Sequence, residues 1–302
     1  MHVVTRSTLL VLVLALALGA CASGGTDRGA AAEGAARIVP LEELPVRYQA
    51  AWAAWQKGDA AFELERAGVE RDPALASFLV DNLVREMVRT YSRSGLARPG
   101  GEPGPFERAQ ADLVAFAPQS APVLAELLRA PDGIVAFLAA DRLVAIGAAA
   151  IPRVTPLLDD ERAETRRRAA ELLGRLPHAG AAEIEVQQAL AARVERDPEW
   201  NVRAESARAL GARGSRHDHR GFAAGVLLRA LRDPDTAVAT SAAAGLATLG
   251  ERGALPRLVE ALAYAAEQGQ PAVLGAIERT LGVLAGDKRT RSLAEWRAYA
   301  RP

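Results

Sequence analysis

The feature that most constrains the fold of this chain is a sequence phrase that recurs along more than half of its 302 residues. Its clearest copy runs from Asp197 to Leu231, and its first half carries a stripe of small and apolar residues at helical spacing. That stripe consists of Val202, Ser206, Ala209 and Leu210. A second apolar helix follows, from about Phe222, and is expected to cover part of the stripe. Each copy therefore predicts a pair of helices.

The ends of the first helix are predicted from the residue types found there. Asp197 is expected to accept hydrogen bonds from the first free N–H groups, and Pro198 fits the first turn. Gly211 and Gly214 are expected to end the helix in left-handed backbone, which glycine adopts at little cost. The helix should thus be short and capped at both ends.

The phrase recurs at a period typical of stacked repeats. Equivalent stripe positions are separated by 30, 37, 36 and 35 residues, and they are Val135, Thr165, Val202, Val238 and Val273. Second helices are predicted at Ile151–Leu158 and Leu255–Leu262 in two of these copies. Because no pair of helices buries its stripe alone, successive pairs must cover one another. The sequence therefore predicts an all-α solenoid of stacked antiparallel helix pairs.

The repeated pattern resembles the HEAT repeat, in the variety often called HEAT-like or phycobilisome-lyase-type. The pattern is Asp-Pro-x-x-x-Val-Arg-x-x-Ala-Ala-x-Ala-Leu-Gly, and its matches are Asp197, Pro198, Val202, Arg203, Ala207, Ala209, Leu210 and Gly211. Asp233-Pro234 starts another copy in which Ala239 replaces the Arg, and Thr165 replaces the Val of an earlier one. The resemblance covers residues 105–286 and implies a right-handed α-solenoid. It implies little about activity, because this fold supports many unrelated functions.

Composition excludes some classes of function. The chain is 50% hydrophobic, but its aromatic residues make up only 5% of the total, so its core must consist mainly of Ala, Leu and Val. Lys and Arg number 37 and balance 37 Asp and Glu. Since there is no net charge to attract a polyanion, we expect no nucleic-acid partner.

The amino-terminal residues resemble a bacterial lipoprotein signal peptide. Residues 1–20 contain Arg6 and then an apolar run from Leu9 to Leu18, which is too short to span a bilayer. The run ends in Leu-Gly-Ala-Cys, which resembles the lipobox, so Cys21 is expected to be lipidated after cleavage. An ordinary secretory signal is the alternative. Because Cys21 is the single cysteine, lipidation leaves no thiol for a disulfide or a thiolate metal site.

Residues 21–40 are rich in Ala and Gly and predict a flexible tether between the lipid and the folded part. The protein is therefore expected in the cell envelope, anchored to a membrane through its lipid. Ala22 rather than Asp follows the cysteine, which favours the periplasmic face of the outer membrane if the host has two membranes.

Helical segments are predicted on either side of the repeats. Residues 41–94 form an amino-terminal cap, in which Tyr48, Trp52, Trp55 and Phe62 share one face if Gly58-Asp59 does not interrupt the helix, and a second helix starts after Asp72-Pro73. An aromatic ligand cage is the alternative to a cap. Residues 95–104 form a Gly/Pro loop, residues 105–286 the array, and residues 287–302 a capping segment with Trp296 and Tyr299.

Few residues are arranged as a catalytic, metal-binding or phosphate-binding site requires. His217-Asp218-His219 places two imidazoles in a polar loop, but no third ligand lies nearby, and His178 beside Pro177 indicates a turn. The run Arg166-Arg167-Arg168 could bind phosphate, but surrounding carboxylates favour an internally paired, solvated face. We predict no catalytic residue, cofactor, metal site or small-molecule substrate. Arg289 and Arg291 are expected to be exposed.

The function favoured by these features is a non-enzymatic scaffold that binds proteins of unknown identity. In solenoids of the family it resembles, second helices tend to line the concave side. Polar residues on the predicted second helices are the candidate contacts: Arg129, Arg153, Arg229, Arg232, Arg257 and Glu260. The alternatives are a lyase-like role in attaching or removing a bilin or another prosthetic group on a partner, and a structural tether for an envelope complex or the cell wall.

Overall fold

The structure, a computed structural model, describes residues 46–59, 62, 72–91, 103–215, 220–287, 289 and 291–300. All regular elements among these residues are helical. The chain divides into two compact units, Met1–Ile146 and Gly147–Pro302. The predicted signal peptide, the tether and Cys21 lie outside the described residues, as does most of the predicted loop at 95–104.

The first unit contains pairs of helices that pack on one another. Its described helices are α1 (Val46–Lys57), α2 (Pro73–Thr90), α3 (Pro105–Ala115), α4 (Ala117–Leu127) and α5 (Gly133–Ile146). As predicted, α2 begins after Asp72, whose carboxylate accepts a hydrogen bond from the Leu75 N–H at 3.0 Å. Within this unit α2 packs against α3, and α4 packs against α5.

The second unit is an α-solenoid of stacked helix pairs. Its helices are α6 (Ile151–Val154), α7 (Ala163–Arg175), α8 (Glu183–Arg196), α9 (Trp200–Gly214), α10 (Arg220–Ala230), α11 (Thr236–Leu249), α12 (Leu255–Glu267), α13 (Pro271–Ala285) and α14 (Leu293–Tyr299). The first helices of successive pairs, α7, α9, α11 and α13, pack side by side in chain order. The predicted stripe residues Val202, Ser206 and Leu210 are fully buried between them. The predicted fold class is confirmed.

One predicted second helix is shorter than expected. The segment Ile151–Leu158 forms only the four-residue α6, followed by a 3₁₀ turn at Thr155–Asp159. Pro156 explains the change, because proline has no N–H to donate to the carbonyl four residues earlier and its ring crowds that carbonyl. The tighter turn still buries Leu157 and Leu158.

Two glycines that were expected to end α9 instead lie inside it. Gly211 and Gly214 are both helical, and neither has a positive φ. A Cβ on Gly211 would lie 2.5 Å from the Cα of Gly245 in α11, and one on Gly214 would lie 2.8 Å from the Cβ of Ala223. The prediction of left-handed backbone was wrong for both glycines. They lack side chains because the neighbouring helices approach α9 closely at these positions. Gly250, by contrast, does end α11 with φ 70°.

The Asp-Pro phrases connect neighbouring repeats rather than capping helices directly. Helix α9 begins at Trp200, so Asp197 lies before the capping residue Glu199 and accepts a hydrogen bond from its N–H at 3.1 Å. The Asp197 carboxylate also accepts two hydrogen bonds from Arg166 of α7, at 2.8 and 2.9 Å. Asp233 accepts an equivalent pair from Arg203 of α9. These pairs tie each repeat to the next.

One stretch of the described chain, Gly133–Asp159, is long and apolar enough to cross a membrane by length and composition alone. It is not one uniform α-helix. Gly147 adopts φ 79°, and two 3₁₀ turns flank the short α6. In its most apolar window 39% of the residues are buried by the rest of the protein.

Candidate functional site

The second helices of the second unit form a row. Helix α8 packs against the Thr155–Asp159 turn and against α10, and α10 also contacts α12. We call the exposed side chains of Ile151–Asp159, α8, α10 and α12, with Arg232 just after α10, the second-helix face. This face is the candidate functional surface, because side chains from several repeats can contact one bound partner there.

The structure places five of the six predicted contact residues on the second-helix face. Arg153 lies on α6, Arg229 on α10, and Arg257 and Glu260 on α12, and all four are exposed. Arg232 is exposed as well. The sixth residue, Arg129, follows α4 in the first unit, where it is half-buried and forms an ion pair with Glu126.

Several charges on this face are paired between neighbouring helices. Arg229 forms an ion pair with Glu195 of α8, in which the Arg229 Nε–H donates to Oε1 at 3.1 Å. Arg193 of α8 lies 3.2 Å from a carboxylate oxygen of Asp159. The prediction from sequence did not include Glu195, Arg193 or Asp159. The repeat period was the signal that could have found them, since pairs between adjacent repeats join residues about 34 positions apart.

Arg232 makes a different kind of contact. Its guanidinium lies 5.0 Å from the centre of the Tyr264 ring on α12, within the range of a cation–π interaction. The contact holds the end of α10 next to α12 and orients the Arg232 side chain. Tyr264 is therefore part of the surface, although no pattern in the sequence singled it out.

Three predicted residues remain available for a partner. Arg153, Arg257 and Glu260 are exposed, and none forms a side-chain hydrogen bond or ion pair with a residue that the structure describes. An exposed charge that is not engaged within its own chain loses less on binding than one that must first break a pair. These three side chains are the best candidates for direct contact.

A buried ion pair supports the base of the second-helix face. Glu183 opens α8, and its carboxylate accepts a hydrogen bond from the Arg213 Nε–H of α9 at 2.8 Å. Arg213 also donates to the carbonyl of Leu173 in α7 at 2.6 Å, and it is only 1% exposed. Burial acts to raise the pKa of Glu183, but the hydrogen bonds from Arg213 and from the Ala179 N–H leave this pKa below its usual value.

The amino-terminal aromatic residues are largely built into the first unit. Gly58, with φ 70°, ends α1, so Phe62 does not continue its helical face. Trp55 and Phe62 are both buried, and the indole N–H of Trp55 donates to Asp112 of α3 at 2.7 Å. Trp55 and Phe62 therefore belong to the core of the first unit, and the cap remains a prediction.

The arginine run is paired, but not entirely as a solvated face. Arg167 and Arg168 both pair with Glu164, and Arg167 also lies 3.1 Å from Glu171, as predicted. Arg166 is buried instead, since its guanidinium is held by Asp197. The run therefore has no free guanidinium at Arg166 for a phosphate.

Two other predictions concern titratable groups. His217-Asp218-His219 lies outside the described residues. Within the part of the chain that the structure describes, no three His, Cys, Asp or Glu residues form a group that could hold a metal ion. His178 lies in the connection between α7 and the 3₁₀ turn at Gly180–Ala182, where its Nδ1 accepts a hydrogen bond from the Gly180 N–H at 2.9 Å.

The carboxyl-terminal segment differs from prediction at one arginine. Trp296 of α14 is buried as expected, and Arg289 is exposed. Arg291 is not exposed, because it forms two hydrogen bonds with Asp287 and lies 4.6 Å from the ring centres of both Trp296 and Tyr299. The hydrogen bonds from Arg291 lower the pKa of Asp287 to about 2.

Comparison with known proteins agrees with the repeat architecture. A sequence model of the family described as HEAT repeats matches residues 120–211 and again residues 187–278. Together the two matches span more than half of the 302 residues. No protein with a curated description matches the chain.

Solved structures with a similar chain trace include two engineered proteins and Cex1p. The crystal structure of one engineered protein is 21% identical, with 68% of this chain and 96% of that chain covered and a TM-score of 0.40. A second engineered protein is 18% identical, with 84% of this chain and 78% of that chain covered and a TM-score of 0.42. The crystal structure of Cex1p is 11% identical, with 80% of this chain and 53% of that chain covered and a TM-score of 0.41. All three TM-scores are below 0.5, so the family assignment depends on the repeat match.

Proposed function

Because this chain belongs to the HEAT repeat family, whose stacked helices form interaction modules, we propose that it is a non-enzymatic scaffold that binds a protein partner through its second-helix face. The observation that carries the proposal is the row of second helices in the second unit. This row presents Arg153, Arg257 and Glu260 from two different repeats without partners among the described residues. A partner that spans several repeats could engage all three.

The charges on the second-helix face suggest how it discriminates between partners. Arg257 and Glu260 lie three residues apart on α12, so both side chains project from one side of the helix. Opposite charges in this arrangement favour a partner with a complementary pair and disfavour one with reversed charges. The pairs Arg229–Glu195 and Arg193–Asp159 join α8 to α10 and to the Thr155–Asp159 turn.

A charge reversal tests the proposed face. A photo-crosslinking amino acid placed at Glu260 in the native host identifies the neighbour, which is then purified and titrated against the full chain. We expect Arg257→Glu to weaken binding by about tenfold or more, because it introduces repulsion where attraction existed. Arg297→Glu is the matched control, since Arg297 is also exposed and unpaired among the described residues but lies on α14, outside the second-helix face. Equal affinity of wild type and Arg257→Glu would refute the proposed face.

We also propose that the scaffold is held at an envelope membrane by lipid on Cys21. The support is the sequence Leu18-Gly19-Ala20-Cys21 after an apolar run, followed by a Gly- and Ala-rich segment. Mass spectrometry of the mature amino-terminal peptide is expected to show a diacylglyceryl group on Cys21. In the variant Cys21→Ser the protein should leave the membrane fraction, since several acyl chains are lost at about 0.8 kcal/mol per methylene. An unmodified mature terminus at another residue would contradict this.

A further inference from the structure

The first helices α11 and α13 form a groove that the second-helix face does not include. The groove has a volume of about 250 Å³ and is lined by Thr240, Ala244 and Ala247 of α11 and by Arg279 and Val283 of α13, among others. Val283 is 60% exposed, although it is a large apolar residue. All of these residues belong to the second unit.

The outer side of α11 differs from that of the equivalent helix α7. The repeat spacing aligns Thr165 with Val238, so Arg167, Glu171 and Arg175 of α7 correspond to Thr240, Ala244 and Thr248 of α11. Helix α11 contains no charged residue at all. The same position in the repeat is therefore charged and solvated in α7 but uncharged in α11. The uncharged side of α11 and the exposed Val283 line the same groove, so its surface is apolar.

The groove has an apolar floor. The hydroxyl of Thr280 is already bonded to the carbonyls of Ala243 and Ala276, at 2.8 and 3.0 Å. The hydroxyl of Thr240 is likewise bonded to the carbonyl of Thr236 at 2.9 Å. Neither threonine needs a further polar partner. The small alanines leave room for a large apolar side chain, as in the docking of an amphipathic helix into a groove.

The charge at the rim restricts the partner. Arg279 is exposed and forms no ion pair or hydrogen bond with a described residue, and no carboxylate lines the groove. Glu278 is exposed but does not line the groove, so a second copy docking through the same lining residues would bring two Arg279 side chains together with no carboxylate of the lining between them, which is unfavourable for a symmetric dimer. A different protein with an acidic residue beside an apolar one satisfies both parts of the site.

We propose that the groove between α11 and α13 is a second docking site, and that it binds an amphipathic helical segment of another protein. A large apolar side chain of that segment fills the groove against Val283 and Ala244, and a carboxylate one turn away pairs with Arg279. The site lies on first helices and does not depend on the proposed role of the second-helix face.

The test uses a phage-displayed library of random helical peptides selected on the immobilised full chain. We expect enrichment of peptides with Asp or Glu three or four residues from a large apolar residue. Their affinity should fall by about tenfold or more for Arg279→Glu and for Val283→Asp. Both positions are exposed, so neither substitution should unfold the protein, and thermal melts of both variants check this.

Two comparisons decide the outcome. Arg297→Glu, on α14 and outside both proposed sites, is the matched control and should leave the affinity of the selected peptides unchanged. Selection on the Arg279→Glu variant should enrich basic peptides instead of acidic ones, which a nonspecific apolar surface would not do. The proposal is overturned if the selected peptides bind Arg279→Glu as tightly as wild type. It is also overturned if sedimentation shows that the chain dimerises and that Val283→Asp abolishes the dimer.

Discussion

Arg213 on α9 forms hydrogen bonds with two other helices of the second unit, α7 and α8. Its guanidinium donates to the Glu183 carboxylate of α8 and to the carbonyls of Leu173 and Leu176 at the end of α7. The last carbonyls of a helix have no partner within the helix, so a buried cation at that position satisfies them. One side chain thus holds three helices from two successive repeats.

Removing this cation is expected to be costly. Arg213→Met leaves the Glu183 carboxylate buried without its counter-charge, so the free energy of unfolding should fall by about 3 to 5 kcal/mol. Urea denaturation of the full chain measures the change. The double variant Arg213→Met with Glu183→Gln should recover part of the loss, because the uncompensated charge is gone. Arg208→Met is the control on the exposed side of α9, with an expected change within about 0.5 kcal/mol.

The same pair predicts how stability depends on pH. The pKa of Glu183 is lower in the folded protein than its usual value, so on acidification the unfolded chain takes up the proton first. The stability contributed by Glu183 is therefore complete above the usual pKa of 4.5 and is lost as the pH falls through the folded value. The difference in unfolding free energy between wild type and Glu183→Gln should shrink as the pH falls below about 4.5. A difference that stays constant would show that the carboxylate is not coupled to folding.

For whole helices, the crossing of α9 and α11 depends on the absence of side chains. The carbonyl of Gly245 and its Cα both lie 2.5 Å from where a Cβ on Gly211 would be. The reciprocal Cβ on Gly245 would lie 2.8 Å from the carbonyl oxygen of Ala207. Backbone atoms cannot move aside as a flexible side chain can, so the two helices would have to separate.

Gly211→Ala should accordingly destabilise the protein, although alanine is the better helix former. Overpacking of this kind typically costs about 1 to 3 kcal/mol, which exceeds the gain of about 1 kcal/mol in helix propensity. Gly225→Ala in α10 is the matched control, because its Cβ would meet only the Arg229 side chain at 3.8 Å. That variant should be neutral or slightly more stable in a thermal melt. A stabilised Gly211→Ala would mean that the helices are farther apart than described.

These glycines show where prediction from sequence succeeds and where it fails. The stripe of Val202, Ser206 and Leu210 was predicted because helical spacing is a local property of the chain. Gly211 was assigned to a helix end because glycine serves both at left-handed backbone positions and where two helices approach closely. The sequence alone does not distinguish these two roles. The deciding fact, the neighbouring Gly245, is 34 residues away. The pairing of Arg166 with Asp197 was missed for the same reason.

The candidate surface was predictable to a similar extent. Arg257 and Glu260 were found on the second-helix face because the order of helices follows from the repeat. Whether an arginine there is free or paired depends on the adjacent repeat, so the ion pair of Arg229 with Glu195 was not predicted. The groove beside Val283 was missed because its sequence feature is the absence of charged residues in α11. That absence is noticed only when α11 is aligned with α7.

In the second unit as a whole, stability should follow from contacts between neighbours. In a stacked array each repeat contacts only the next, so a terminal element protects the apolar surface of the helices it covers. Helix α14 packs against α12, and a capping box between Ser292 and Glu295 fixes its start. Trp296 supplies its buried anchor at 2% exposure, and Arg291 covers that ring from the other side.

Deleting residues 292–302 should therefore lower the melting temperature, because the surface of α12 that α14 covers becomes exposed to water. The single change Trp296→Ala should cause most of the effect, about 3 to 5 kcal/mol by the usual cost of removing a buried Trp. For a unit of this size that corresponds to a fall of roughly 6 to 20 °C. Arg297→Ala, on the exposed side of α14, is the control and should leave the melt unchanged. If the deletion and Trp296→Ala melted like wild type, α14 would be an appendage, and the repeats before it would have to be stable without a cover.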